Sequence, residues 1–310
     1  MEWNGVKVLV TGSAGFIGTH LCNKLAAEGA EVVGTRRPKR STSNSSGRYK
    51  VVPLDLCKAD DIEPVLSEYK PDVVYHLAGT VSSAQNPELT LPMFHDNLEA
   101  TVYLLESLAE YGRARVVTVS TIEESFTGGI PQSPYGVAKQ AARLYTDFFR
   151  LQRNLPLVQL RLHVAFGPGQ QELKFIPYVI NSYLDGEAPV LRTPTRSCDF
   201  IYIEDVISAL LLAVGEDPSD GRVRDVGSGT SNSLVHVAAW IKSLLTTTQP
   251  EDSLHIPDRR ATSLSFNSPA NIEYSWDWQP TVPLEEGLKR TIEWCKVQRA
   301  NRRLREPIYP

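Results

Sequence analysis

The segment "SPYGVAK" sets Tyr135 and Lys139 four residues apart, a spacing that brings two side chains onto one face of a helix. A phenol with an ordinary pKa near ~10 is a poor acid or base at neutral pH, and a neighbouring ammonium group favours its ionised form. Tyr135 is therefore the expected proton carrier and Lys139 the group that tunes it and can hold a ribose. Upstream, "VSTIEES" supplies a hydroxyl at Thr121 and a carboxylate at Glu123, with the inert Ile122 between them. Thr121 would hydrogen-bond the substrate oxygen on which Tyr135 acts. Another constellation, "VLVTGSAGFIG", spaces Gly12, Gly15 and Gly18 as Gly-x-x-Gly-x-x-Gly directly after an apolar run. Gly12 permits the tight turn, Gly15 lets backbone N–H groups approach a pyrophosphate, and Gly18 lets a helix pack close to a sheet.

These residues need a scaffold, and the first half of the chain supplies one. Short β-branched runs, "VKVLVTG", "EVVGTR", "YKVVPLD", "DVVYHLAG" and "ARVVTVS", alternate with helical patterns, including a long one from Phe94 to Tyr111. That alternation predicts an α/β fold, a Rossmann-type doubly wound parallel sheet with helices on both faces. After Leu160 the order loosens into turn-rich loops and the helical segments "KFIPYVINSYL", "VHVAAWIKSLL" and "PLEEGLKRTIEWCKV". We expect a dinucleotide-binding domain over residues 1–165, a return to it over about 198–230, and a smaller substrate-binding lobe over 166–310. "KRSTSNSSGR", Lys39 to Arg48, reads as a mobile loop.

The second strand ends in "GTRRPKR", where an NAD enzyme needs Asp or Glu for the ribose 2′-hydroxyl. Arg36 and Arg37 instead offer planar cations suited to a 2′-phosphate, so NADP(H) is the expected cofactor. With 310 residues, 42% hydrophobic and 22% charged, the chain is globular in composition. A net charge of -4 gives no reason to bind nucleic acid or an anionic membrane, and no apolar run reaches membrane-spanning length. Met1 leads into the first strand with no secretory signature, so cytoplasm is the expected compartment. Cys22, Cys57, Cys198 and Cys295 form no C-x-x-C pair, which predicts reduced thiols and no metal site. Val102, Leu104, Leu105, Leu108, Leu144, Phe148 and Phe149 lie on more than one face of their two helices, and a homodimer is expected through the spare face.

Taken in order, "TGSAGFIG", "LDL", "YHLAG", "DNLEATVYLLES", "VSTIEES", "SPYGVAK", "RLHVAFGPG", "DFIYIEDV", "VGSGTS" and "PLEEGLKRTIEW" resemble the extended short-chain dehydrogenase/reductase family. The likeness covers nearly the whole chain and lies in the nucleotide-sugar epimerase, dehydratase and reductase branch. "RLHVAFGPGQQELKFIPYVI" and "DFIYIEDVISALL" are most similar to 4-ketoreductases that make CDP-linked deoxysugars such as abequose. The resemblance implies a cofactor site at Gly12, Ser13, Gly15, Phe16, Ile17, Gly18, Arg36 and Arg37. Asp55 and Leu56 would lie at the adenine, Leu77, Ala78 and Gly79 at the pyrophosphate, and Asn97, Tyr135 and Lys139 complete the set. For the nucleotide sugar it implies Ser82, Glu123, His163, Lys174, Arg196 and Arg259, with Arg260 beside it. The family's usual Arg before the Asp of "DF" is Cys198 here.

The 4,6-dehydratases of this branch carry Thr-Asp-Glu where this chain has Thr121-Ile122-Glu123, and their Asp protonates the departing hydroxyl. Ile122 cannot. Reduction of a ketone needs only hydride, one proton and an orienting group. The expected activity is thus NADPH-dependent reduction of the 4-keto group of a nucleotide-linked 4-keto-6-deoxyhexose. A nucleotide-sugar 4-epimerase or dehydratase using NAD is the alternative, and a non-catalytic NADPH-binding sensor a distant one. Glu123 is left as a remnant, a sugar-hydroxyl acceptor or a structural acid.

Overall fold

The structure is a computed structural model that describes residues 2–38, 47–124, 131–246 and 276–303. The β-branched runs form strands buried on both faces, as in Val8, Leu9 and Val10 of β1, and such strands belong in the interior of a parallel sheet. In chain order the first unit comprises β1 (Lys7–Thr11), α1 (Phe16–Ala27), β2 (Glu31–Arg36), β3 (Lys50–Pro53), α2 (Ile62–Tyr69) and β4 (Val73–His76). It continues through α3 (Thr90–Met93), a π-helical turn (Phe94–Glu99), α4 (Ala100–Tyr111), β5 (Arg115–Thr121), α5 (Pro134–Gln152) and β6 (Leu157–Leu162). Among the described residues these strands and β9 (Val223–Val226) make one seven-stranded sheet, ordered β3-β2-β1-β4-β5-β6-β9. Each neighbouring pair of strands in that order runs parallel.

The strand order reverses between β1 and β4, which opens a crevice at their C-terminal ends, the place where such sheets bind ligands. Gly12 follows β1 at φ 69°, and a Cβ there would sit 2.8 Å from the Ala78 backbone after β4. Only glycine satisfies both demands. Leu54, Leu56, Ile62, Leu66, Leu104, Leu105, Leu108 and Phe149 pack in one core cluster with the sheet.

The second unit holds β7 (Val164–Phe166), α6 (Phe175–Leu184), β8 (Ser197–Tyr202), β10 (Ser231–Ser233), α8 (Leu234–Leu245) and α9 (Leu284–Arg303). Its sheet is ordered β10-β8-β7, with β10 antiparallel and β7 parallel to β8. Phe166, Phe175, Phe200 and Tyr202 pack ring to ring in its core. The division falls at Leu162, and the return to the first unit covers Val206–Val226 and residues through Trp278. It begins later than the expected 198, because β8 pairs with β7 and β10 and so stays in the second unit. Between β8 and β9 runs α7 (Ile203–Ala213). No described helix is long and apolar enough to cross a membrane, and no described group of three or more His, Cys, Asp or Glu side chains could hold a metal ion.

Candidate active site

Helix α5 begins cleanly because Ser133 accepts a hydrogen bond from the Gly136 amide at 3.0 Å and Pro134 fills the first turn. Glu123 holds that cap from behind: one carboxylate oxygen accepts from Ser133 at 3.2 Å and the other from Ser83. Of the three roles left open for Glu123, the structural acid is the one these bonds describe. The helix then presents Tyr135, Ala138, Lys139, Ala142, Thr146 and Phe149 inward. Tyr135 and Lys139 are buried, and so is Thr121 at the end of β5. Thr121 Oγ1 accepts from the Glu123 amide at 3.2 Å, which leaves its proton to donate.

Burial pushes the Tyr135 phenol above its ordinary value, the charge of Glu123 adds to the rise, and a hydrogen bond with Thr121 opposes it. Lys139 is pushed down to about 8, by burial first, with Glu124 working against it. Its Nζ donates to the Val119 carbonyl at 3.0 Å. Lys139 is thus anchored on β5, one helical turn along α5 from the Tyr135 phenol that burial raises.

Ile122 is 4% exposed, and its amide donates to the Leu162 carbonyl at 3.1 Å. The neighbouring Glu124 is not among the residues the sequence singles out. It is 2% exposed, lies 3.3 Å from Arg143 through Oε2, and has no partner on Oε1. Burial raises it to about 7 against the pull of Arg143, Lys139 and Arg161. Its position just past β5, among loop-like polar residues, disguises it as solvent-facing.

The glycine turn has the features a dinucleotide requires. No acidic residue and no side-chain cap occupies the first turn of α1, so the amides of Phe16 and Ile17 face outward at the positive end of the helix dipole. A Cβ at Gly18 would strike the Gly12 carbonyl, and one at Gly15 would sit 3.1 Å from it. Beneath the turn, His76 links Thr11 to Thr101 at 2.9 Å on either side, and Thr101 donates to the Asn97 carbonyl at 2.7 Å. The network assigns the imidazole proton to Nε2, so Nδ1 accepts from Thr11. Thr11 in turn accepts from the Leu77 and Ala78 amides, both at 3.2 Å. Burial lowers His76 to about 3, with Lys139 adding to the fall, so the ring stays neutral. Asn97 donates to the Thr80 carbonyl at 3.0 Å, while its Oδ1 is buried beside Gly79 without a partner. An orphaned acceptor at this depth fits a ligand hydroxyl or amide.

Other expected cofactor residues lie differently. Ser13 turns its hydroxyl inward to the Thr35 carbonyl at 3.0 Å, and Leu56 sends its side chain into the core cluster, so only their backbones remain for a ligand. Arg36 ends β2 half-buried. Arg37 is engaged by Asp96 at 2.7 Å and lies 3.8 Å from Asp55, which removes part of the cationic surface expected to take a 2′-phosphate.

The candidate sugar residues divide between the units. Ser82 is half-buried after β4 and accepts from the Ala84 amide at 3.4 Å. In the second unit, His163 is buried 3.6 Å from Asp199, which accepts from the Ser228 and Gly229 amides. Asp199 thus holds the turn, and His163, expected at the substrate, is buried against it. Lys174 is the half-buried N-cap of α6, and Arg196 is half-buried before β8. Arg259 and Arg260 lie outside the described residues.

Over residues 8–227 the sequence matches the NAD dependent epimerase/dehydratase family. It is 27% identical over 325 residues to a UDP-glucose 4-epimerase of Mycolicibacterium smegmatis, covering 94% of this chain and 99% of that protein. A dTDP-D-glucose 4,6-dehydratase of Bos taurus is 24% identical over 316 residues, covering 94% of this chain and 88% of that protein. The crystal structure of UDP-glucose 4-epimerase from Thermotoga maritima with UDP-glucose matches with a TM-score of 0.84 and 25% identity, over 94% of this chain and 99% of that one. The matched span runs from β1 through β9 and takes in both the glycine turn and the Tyr135–Lys139 helix, so the chain belongs to the NAD dependent epimerase/dehydratase family.

Proposed function

We propose that this enzyme oxidises the C4 alcohol of a nucleoside-diphosphate hexose and returns it by hydride transfer as the C4 epimer, with no loss of water. The observation that carries this reading is Ile122, buried beside Thr121 with no proton to give. Elimination needs a donor at the departing oxygen, and the acid at Glu123 is already bonded to Ser83 and Ser133. Epimerisation needs only what the remaining trio supplies. A bound nicotinamide ring would accept the hydride and give it back. Tyr135, ionised where the cationic ring of a bound oxidised nicotinamide would offset its burial, takes the alcohol proton on oxidation and restores it on reduction, Thr121 directs its hydroxyl at the same oxygen, and Lys139 fixes the helix face to β5.

A 4-ketoreductase using NADPH is the second reading, favoured by Arg36 and Arg37 at the end of β2, where the local sequence carries no acid. Mixing the protein with UDP-glucose or dTDP-glucose while recording nicotinamide absorbance separates the two. Epimerisation predicts a small transient of reduced cofactor with no net consumption. Stoichiometric loss of NADPH with a 4-keto sugar, and inertness towards the hexoses, would reverse the preference.

The dimer is part of the same proposal. Val137, Leu144, Phe148 and Leu151 form an exposed apolar stripe along α5, whereas Leu104, Leu105 and Leu108 of α4 are spent in the core and Val102 is half-buried. A two-fold contact between copies of α5 would cover the stripe.

A further inference from the structure

We infer that Asp96 selects the dinucleotide, by holding Arg37 so that the site takes a ribose 2′-hydroxyl in preference to a 2′-phosphate. The inference rests on reading the glycine turn as a dinucleotide site. In that fold the choice is made at the end of the second strand, by a carboxylate that accepts from the 2′-hydroxyl or by a cation that receives the phosphate. Here β2 ends in two arginines with no acid nearby in the sequence. The fold supplies the acid from 59 residues further on: Arg37 Nη2 donates to Asp96 Oδ1 at 2.7 Å, and Thr80 donates to Asp96 Oδ2. Asp55, after β3, adds a second carboxylate 3.8 Å from Arg37 Nε.

The π-helical turn Phe94–Glu99 accounts for the placement. One extra residue in a helical turn rotates the downstream side chains by roughly 100°. Asn97 is thereby buried against Met93 and Thr80 while Asp96 remains at the rim, 17% exposed, facing Arg37. The Cys57 thiol, bonded to the His95 carbonyl at 3.3 Å, ties the same turn to the loop after β3.

Arg37 is faced by two carboxylates, Asp55 and Asp96, before any ligand arrives. A 2′-phosphate brings about two further negative charges. It must either pull Arg37 from a charge-assisted hydrogen bond or lie beside two carboxylates. A 2′-hydroxyl does neither. Asp96 also holds the guanidinium charge up, through the hydrogen bond first, so the pair is an ionic one at any working pH.

The test is calorimetric titration of the full chain, stripped of nucleotide, with NAD+ and NADP+ separately. It uses wild type, Asp96→Asn, Arg37→Ala and the double variant, each checked for folding by circular dichroism. Wild type should prefer NAD+. Asp96→Asn should tighten NADP+ about tenfold relative to NAD+. Arg37→Ala alone should change NADP+ binding little, yet abolish the gain when added to Asp96→Asn. Tighter NADP+ binding by wild type, or an unchanged ratio in Asp96→Asn, overturns the inference while leaving the dinucleotide site intact. Failure of wild type to bind either dinucleotide overturns the reading of the site itself. If Asp96→Asn does not fold, a full loss of NADP+ affinity in Arg37→Ala overturns the inference, because it would show that Arg37 was serving the phosphate in the wild type.

Discussion

A phenol buried as deeply as Tyr135 keeps its proton at neutral pH unless a cation compensates, and here Glu123 reinforces that state. Tyr135→Phe removes the proton and little else, so turnover should fall by about 10²–10⁴-fold with dinucleotide affinity unchanged. Steady-state kinetics alongside cofactor titration would check this, and a variant retaining wild-type turnover would exclude Tyr135 as the proton carrier. Glu124 carries a second consequence. Its pKa rises from 4.5 to about 7 on folding, so across that window the folded chain holds a proton that the unfolded chain releases. Stability must then fall as pH rises between about 5 and 7. Glu124→Gln should flatten that fall, measured by urea unfolding at both ends of the window. Equal slopes in the two proteins would mean that Glu124 ionises as freely folded as unfolded.

Helix α5 positions the reacting pair only if its first turn is held, and the hold is Ser133 backed by Glu123. Ser133→Ala should cost about 1 kcal/mol of stability by chemical denaturation, and an unchanged midpoint would show that the cap does not bear on the fold. The alternation of strands and helices, the glycine turn and the i, i+4 spacing of Tyr135 and Lys139 are legible in the sequence because each is a local pattern. The partners of these residues are not. Asp96 meets Arg37 through a π-helical turn that no hydrophobic periodicity announces, and Glu124 is buried only because α5 folds back with Arg143 above it. His163 looks available at a strand end, yet its ring packs on Asp199, a contact made by tertiary pairing of β7 with β8.

In the intact protein, the exposed stripe on α5 and the chemistry of the trio make separate demands. Phe148→Glu should convert a dimer to a monomer in light scattering at micromolar concentration, since Phe148 is 50% exposed in the single chain. A wild-type monomer under the same conditions would leave the stripe to some other role. Hydride transfer at C4 without elimination is the activity proposed for the trio, and product analysis reads it out without an intermediary. Wild-type protein with its dinucleotide is incubated with UDP-glucose, dTDP-glucose and UDP-glucuronic acid, and the sugars are followed by proton NMR. The expected product is the C4 epimer of at least one of them, with the C6 group intact and no net cofactor turnover. A 4-keto-6-deoxy sugar formed with loss of water would be the opposite result, because the chain would then be eliminating without a donor at Ile122.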